Sequence, residues 1–524
     1  GLLGISVPEE YGGMGMPFNT SVLICDKISG ANGSFSTAFG AHTGIGTLPI
    51  LLYGDAEQRK KYLPKLATGE WMSCYCLTEP GAGSDANSGK TKAVLTQDKK
   101  YYLITGQKMW ISNGGFADVF IVFAKIENDK NITSFILDKG MEGITLGEEE
   151  HKLGLNSSST RQVFFNEVKV PVENLLGGRG NGFKIAMNAL NVGRIKLSAA
   201  VLDACRRVTT LSTSYANERI QFGIPIAKFG AIKHKLADMA VRTYAIESAT
   251  YRAGNEIEKN IERLESEGVD HQEAYLKGIE EYAIECSIVK VLGSDTIQFC
   301  SDEGIQIYGG MGYSADAPME AAYRDARIAR IYEGTNEINR MLLVGMILKK
   351  AMKGELDIMT PAMKVASDLM SIPSFDKPDD SVLFAVEKEQ VKKLKKAILM
   401  CAGKAAEHFA MTIEREQEVL MNLADMVIEV YTAESTILRA EKLAAKNGED
   451  AKEYQIAMSK LYLYQAIKNC NQSGEEVILS FAEGDEQRML LMGLKRFTKG
   501  YTINPKEMRR SVAAKLIEEN KYCF

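Results

Sequence analysis

Histidine and tryptophan are scarce in this chain, with five histidines and two tryptophans among 524 residues. The histidines (His42, His151, His234, His271 and His408) do not cluster, and Cys74-Tyr75-Cys76 has the wrong spacing for a zinc knuckle, so no metal site is expected. The nine cysteines are scattered without disulfide-type regularity. That usage suits a reducing compartment, where thiols serve as small apolar side chains. Uncharged apolar runs stop short of the roughly 18–20 residues that a membrane span requires, and no signal peptide is visible. An excess of basic charge is missing too. The net charge of −5 argues against a nucleic-acid polyanion as partner. There is no internal repeat and no low-complexity tract. The chain begins at Gly1-Leu2-Leu3-Gly4 without a methionine, so it is expected to be truncated, with any targeting segment lying outside it.

What is present is ordinary globular composition, 45% hydrophobic and 25% charged, in a chain long enough for three or four domains. Residues 1–71 read as helices broken by glycine: 22–28, 43–53 and 55–67. Residues 72–179 change texture to short β-type runs (72–78, 101–105, 118–124, 132–137 and 162–165) parted by Gly, Asn and Lys, an all-β, barrel-like domain. Residues 180–352 return to helix, with a charged stretch at 256–272 expected as a solvated helix–helix connection. A linker follows at 353–390, carrying Gly354, Pro361, Pro373, Pro378, Asp376, Asp379 and Asp380 around a short helix. Residues 391–524 read as a further helical domain, with Leu420, Leu423, Met426, Val427, Val430, Ile437 and Leu438 at helical spacing and a stop at Asn447-Gly448. Segregated α–β–α order predicts an α+β fold, not a doubly wound sheet.

Chemistry concentrates in a few segments. Arg327-Ile-Ala-Arg-Ile-Tyr-Glu333-Gly334-Thr335 sets a carboxylate beside glycine after a basic, amphipathic run. Flanked by Ile331 and Tyr332, Glu333 is a candidate desolvated general base; the alternative is a helix C-cap. Thr78-Glu-Pro-Gly81-Ala-Gly83-Ser84-Asp85 leaves a strand with glycines that can turn backbone N–H groups toward an anion or polar ring, or simply form a turn. Met109-Trp110-Ile111-Ser112 offers an aromatic face beside a hydroxyl, suited to a planar ring or to a core. Gln306-Ile-Tyr-Gly309-Gly310-Met-Gly312 follows a helix, and Gly178-Arg-Gly180-Asn-Gly182 opens no βαβ unit, so neither is a dinucleotide-fold fingerprint.

Taken together and in order, 75–85, 106–115, Glu218-Arg219-Ile-Gln221-Phe222-Gly223, 306–310 and 324–335 resemble the motif series of acyl-CoA dehydrogenases. The resemblance covers residues 1 to about 348, short of the family's first two or three helices, and the 391–524 segment resembles the extra domain of the very-long-chain subgroup. It implies FAD as cofactor, with Tyr75, Cys76, Leu77, Thr78, Gly83, Ser84, Trp110, Ile111 and Ser112 around its flavin ring. Arg219, Gln221, Phe222, Phe229, Gln306, Gly309 and Gly310 would hold the adenine–pyrophosphate half, largely across a subunit interface, and Thr335, Asn336 and Glu337 would contact FAD beside the base. Substrate residues implied are Ser84, Asn191, Arg194, Tyr332 and Gly334, although the family often has Asp where Asn191 stands. Glu333 would be the base, in the commoner of the family's two positions for it.

The implied activity is oxidation of fatty acyl-CoA to trans-2-enoyl-CoA in β-oxidation, with an electron-transfer flavoprotein as acceptor. Thr37-Ala-Phe-Gly40-Ala41 falls at the bottom of the family's acyl pocket, where small residues leave depth for a long chain or serve plain helix packing. An acyl-CoA oxidase and an assembly scaffold that keeps the fold are the rival readings. The basic, amphipathic run at 391–400 fits a bundle helix, and also admits a peripheral membrane contact. The resemblance further implies a homodimer, in the bacterial cytoplasm or, for a eukaryotic source, in the mitochondrial matrix at the inner-membrane face.

Overall fold

Helix signals at the start of the chain are strong enough to be read residue by residue. In a computed structural model describing residues 1–370, 378–379, 381–448 and 452–524, they become α1 (Phe18–Ser29), α2 (Gly33–Gly40), α3 (Leu48–Tyr53) and α4 (Ala56–Thr68). Asp55 caps α4 in a reciprocal box with Gln58, and Gly69, at φ 83°, ends it in the left-handed conformation that glycine adopts freely. Helix was expected over 43–53, but its first residues belong to a π-helical turn at Ala41–Gly46. A Cβ at Gly46 would collide with Ser73, so this turn lies hard against the first strand.

The sheet is confined to residues 73–176. Its strands are β1 (Ser73–Cys76), β2 (Lys92–Leu95), β3 (Tyr101–Ser112), β4 (Val119–Ile126), β5 (Thr133–Asp138), β6 (Ile144–Glu149), β7 (Thr160–Pro171) and β8 (Leu175–Leu176). Spatial order is β6-β7-β3-β2-β4-β5-β8, with β1 parallel to β4. β4 is buried on both faces except at Lys125, which is why it reads as a continuous apolar run. β3 unites two predicted pieces: 101–105 and the Met109-Trp110 segment are one strand, and its register against β7 slips between Ile104 and Gly106 and again between Lys108 and Ile111. Such irregularities bend a strand and re-aim its side chains. β2, β6 and β8 were not foreseen, being short and partly polar.

In chain order there follow α5 (Gly182–Ala199), α6 (Leu202–Glu218), a hairpin of β9 (Ile220–Gln221) and β10 (Ile224–Pro225), α7 (Gly230–Ser266), α8 (His271–Glu281), α9 (Ala283–Tyr308), α10 (Pro318–Ala326), α11 (Asn336–Met352) and α12 (Met359–Met370). The charged stretch at 256–272 is mostly helix, and only Glu267–Asp270 connects α7 to α8. Ala253, Ile257 and Ile261 recur every four residues on its buried side, so the charges mark the solvent face of a long helix. Of the predicted linker, Pro373, Asp376 and Asp380 lie outside the described residues.

The last helices are α13 (Ala385–Phe409), α14 (Gln417–Asn447), α15 (Glu453–Leu479), α16 (Gly484–Thr498) and α17 (Pro505–Glu519). Gly448, at φ 84°, ends α14 where Asn447-Gly448 predicts a stop. Val391, Leu394, Ala397 and Met400 bury the apolar face of α13 inside this bundle, while Lys395 pairs with Glu434 at 2.5 Å and Lys388 pairs with Glu441. The apolar face a membrane contact would need is therefore occupied.

By internal packing the chain forms two compact units, one of residues 1–204, 253–286 and 324–335, the other of 205–252, 287–323 and 336–524. Within the second, ion pairs Arg340–Asp425 (2.7 Å), Arg439–Glu247 (3.1 Å), Arg252–Glu434 (3.1 Å) and Arg509–Asp238 (2.6 Å) join α14 and α17 to α7 and α11.

Candidate active site

Glu333 sits in the first unit, on the stretch that follows a short 3-10 turn at Arg327–Arg330. It is not at a helix C-cap. Its φ is 57° and that of Gly334 is 81°, two successive left-handed residues. For a non-glycine residue this costs of order 1–3 kcal/mol and persists only where the surroundings impose it. The result is that the Glu333 carboxylate lies on α5 at Gly193, where any Cβ would strike it. Arg194, 3% exposed, donates from Nε to the Glu333 carbonyl at 3.3 Å and from Nη1 to Asn191 Oδ1 at 2.7 Å. Burial pushes the Arg194 guanidinium down from its ordinary value, and the Glu333 charge opposes this.

Two phenols complete the surround. Burial first, then the Glu333 charge, pushes the Tyr332 hydroxyl up to about 12, with Thr37 of α2 opposing. Tyr75, on β1, is buried with a hydroxyl that has no hydrogen-bond partner, and burial followed by Glu333 raises it well above its ordinary value. Neither phenol ionises near neutrality, so both present a donor O–H close to the base. Asn191, Arg194, Tyr332 and Glu333, predicted from separate motifs, are thus brought together with Tyr75.

The two flavin-type segments are fastened to each other. Glu79 and Ala82 close a tight turn through paired backbone bonds of 3.2 and 3.0 Å, leaving Gly81 and Gly83 at its rim with no atom within 4 Å of a built Cβ. Met109 N–H donates to the Thr78 carbonyl at 3.0 Å, and Lys108 Nζ donates to the Leu77 carbonyl at 3.2 Å and to Glu79 Oε1 at 2.7 Å. Trp110 falls in the second slip of β3 at φ 60° and is 52% exposed, so its ring presents a face instead of packing into the core; Ile111 beside it is buried and Ser112 half-buried. Cys76 and Leu77 are buried, Thr78 half-buried and Ser84 exposed. An exposed indole face, an open glycine rim and a hydroxyl fit a planar, polar ring system.

The other predicted cofactor residues fall in the second unit. Arg219, Gln221 and Phe222 sit on the β9–β10 hairpin, where Phe222 is 93% exposed at φ 54° and meets Phe229 edge-on at 6.0 Å. Gln306 is exposed on α9, and Gly309 (φ 61°) and Gly310 follow it with open space where a Cβ would be. Glu337 is exposed, whereas Asn336 is buried with its amide used internally: Oδ1 accepts from Lys290 (2.8 Å) and Ser294 (3.0 Å), and Nδ2 donates to Asp295 (3.0 Å). Thr335, half-buried, closes the Glu333 segment in the first unit.

Sequence reasoning missed Gly193, Glu79 and Lys108. A lysine inside an otherwise alternating strand was the available signal for Lys108; nothing local marked Gly193, whose role is set by what packs on it.

A carboxylate framed by phenols and a buried guanidinium, in the same unit as an aromatic and glycine-rimmed face, suits a proton-abstracting flavoenzyme. Family models describing the N-terminal, middle and C-terminal domains of acyl-CoA dehydrogenase match residues 1–70, 74–168 and 180–348, and a second C-terminal-domain model matches 393–496. A "Probable acyl-CoA dehydrogenase" of Bacillus subtilis is 45% identical over 522 residues, covering 100% of this chain and 87% of that protein. The mitochondrial very long-chain specific acyl-CoA dehydrogenase of Macaca fascicularis is 41% identical over 352 residues, so that 66% of this chain spans 51% of that protein. A crystal structure of an acyl-CoA dehydrogenase complexed with FAD, from Bacillus anthracis, superposes with a TM-score of 0.96 at 44% identity, over 100% of this chain and 88% of that one. The chain belongs to the acyl-CoA dehydrogenase family.

Proposed function

We propose that the chain is an FAD-dependent dehydrogenase that converts fatty acyl-CoA thioesters, long chains among them, to trans-2-enoyl-CoA, with Glu333 as the base. The observation that carries this reading is the Glu333 carboxylate held in a left-handed backbone against Gly193, with Arg194 clasping its own carbonyl. Tyr75–Ser84 and Trp110–Ser112 would hold the flavin ring, Arg219, Gln221, Phe222, Phe229, Gln306, Gly309 and Gly310 the rest of the cofactor. When bound, the flavin supplies the two-electron acceptor for the substrate's β-hydrogen. Glu333 removes the α-proton and becomes a neutral carboxylic acid, while its backbone N–H polarises the thioester carbonyl as negative charge develops there. Exclusion of water by the bound chain strengthens both interactions.

The exposed hairpin supports a homodimer in which Phe222 is covered by a second copy. An electron-transfer flavoprotein is the acceptor in this reading, and the bacterial relatives favour a bacterial cytoplasm. No described helix is long and apolar enough to cross a membrane. The test is anaerobic. Acyl-CoAs of graded length, palmitoyl-CoA included, are added to the yellow protein while the flavin band is followed. Bleaching supports the reading, and slow recovery in air separates a dehydrogenase from an oxidase. A yellow protein that no acyl-CoA bleaches would overturn it.

A further inference from the structure

Lys108 places an amine inside the β domain, 1% exposed, against a Glu79 side chain that is 7% exposed. Replacing a buried ion pair by apolar side chains of similar volume is often neutral or stabilising, so stability alone does not call for this one. The Glu79 carboxylate accepts from Lys108 Nζ at 2.7 Å and from the backbone N–H of Lys90 at 2.5 Å and of Thr91 at 3.1 Å. Burial alone would raise this carboxyl, but Lys108 and the N–H donors hold it below its ordinary value. Burial likewise pushes the Lys108 amine down, and the Glu79 charge opposes it. An ionised Glu79 thus keeps the amine protonated.

The two ends of the pair are anchored differently. The carboxylate rests on the 89–91 segment, where a Cβ at Gly89 would lie 2.9 Å from Glu79 Oε1. The amine also donates to the Leu77 carbonyl, at 3.2 Å. That carbonyl belongs to the planar, trans Leu77–Thr78 peptide, so the N–H of Thr78 points the opposite way from it. A cation on the carbonyl polarises the peptide and strengthens that N–H as a donor. Among the described residues the Thr78 N–H makes no hydrogen bond, and Thr78 is half-buried, so the donor is open to a ligand. Lys108 itself stands two residues before Trp110, directly ahead of the second register slip of β3. Its charge is therefore carried by the strand of one flavin-type segment and bonded to the backbone of the other.

We propose that Lys108 is a positioning residue that sets the reduction potential of the flavin, its charge acting through the Leu77–Thr78 peptide to favour the reduced cofactor. This rests on the placing of the flavin ring against 75–84 and 110–112 given above. Hydride uptake adds a negative charge to the ring system. A fixed positive charge and a strengthened donor lower the energy of that state relative to the oxidised one.

The experiment measures the two-electron midpoint potential of the bound flavin, by anaerobic dye-coupled titration, in the flavinated fractions of wild type, Lys108→Met and Glu79→Gln. Lys108→Met removes the cation and should lower the preference for reduced over oxidised flavin about tenfold, a shift of about 30 mV to more negative potential. Glu79→Gln removes the counter-charge and should shift the potential to more positive values, read at the acid end of the stable range so that the amine holds its proton. Opposite signs distinguish charge from fit, because a loop merely loosened by either change would move both potentials the same way, toward that of free FAD. A variant that holds flavin too weakly for potentiometry is titrated with oxidised and with reduced FAD, whose affinity ratio reports the same preference. Potentials that stay at the wild-type value, or that move together, overturn the proposal while leaving the dehydrogenase reading intact. A wild type that binds no FAD would remove the flavin placement and the proposal with it.

Discussion

Lys108 Nζ lies 2.7 Å from Glu79 Oε1, with both side chains buried, and the same carboxylate accepts backbone N–H bonds from Lys90 (2.5 Å) and Thr91 (3.1 Å). One ion pair thus holds the glycine-rimmed turn of 78–85 against the strand that carries Trp110. Removing one partner of such a pair leaves an uncompensated buried charge, at a cost of about 3–5 kcal/mol. Lys108→Met should therefore release flavin more readily, seen as a lower flavin-to-protein ratio after gel filtration. Full retention with an unchanged melting profile would show that the pair does not position the loop.

The same pair sets an acid limit. Burial alone would raise the Glu79 carboxyl, but Lys108 and the hydrogen bonds from Thr91 and Lys90 hold it below its ordinary value. A depressed folded pKa contributes stability that is fully present above the unfolded value of about 4.3 and is lost as pH falls through the folded one. Flavin release from the wild type should steepen below that window, and Glu79→Gln should flatten the profile there while lowering retention at neutral pH.

Gly193→Ala places a methyl where the Glu333 carboxylate lies. Flavin binding should survive, because the atoms nearest that Cβ all belong to Glu333. Turnover should fall by about a hundredfold, the order that a displacement near 1 Å can cause. Normal rates in a fully flavinated Gly193→Ala protein would mean that Glu333 does not react from this pose.

Glu333→Gln keeps the shape of the side chain and removes its proton affinity. The expected loss in the rate of flavin bleaching is roughly 10²–10⁴-fold, with the flavin spectrum otherwise unchanged. A stopped-flow trace as fast as the wild type would place the base elsewhere.

Phe222 contributes almost nothing to the burial of its own chain, being 93% exposed. Phe222→Ala should leave the melting of secondary structure alone yet weaken self-association and cofactor retention, read by light scattering and by flavin content at low protein concentration. A tetrameric mass for the wild type would contradict the dimer outright.

How much of this was legible in the sequence varies by element, for identifiable reasons. α4 could be placed to within a residue because Asp55, Gln58 and Gly69 carry its caps locally. β4 declared itself by an unbroken apolar run. β2, β6 and β8 stayed hidden because short strands borrow their stability from neighbours. The charge-rich end of α7 read as a connection because a solvated helix face and a loop share the same composition. For the site, Glu333, Trp110 and the 78–85 loop were legible as motifs, and Glu79–Lys108 was not, since its members are 29 residues apart.

By itself the sequence determined the α–β–α order, the family and the chemical types at the site, because these reside in periodicity, capping and local motif. Only the tertiary structure decided that Glu333 takes a left-handed backbone instead of capping a helix. It alone put Gly193 under the carboxylate and set Arg194 against the Glu333 carbonyl. Such relationships depend on which surfaces pack together, and a one-dimensional pattern does not carry distances between residues far apart along the chain.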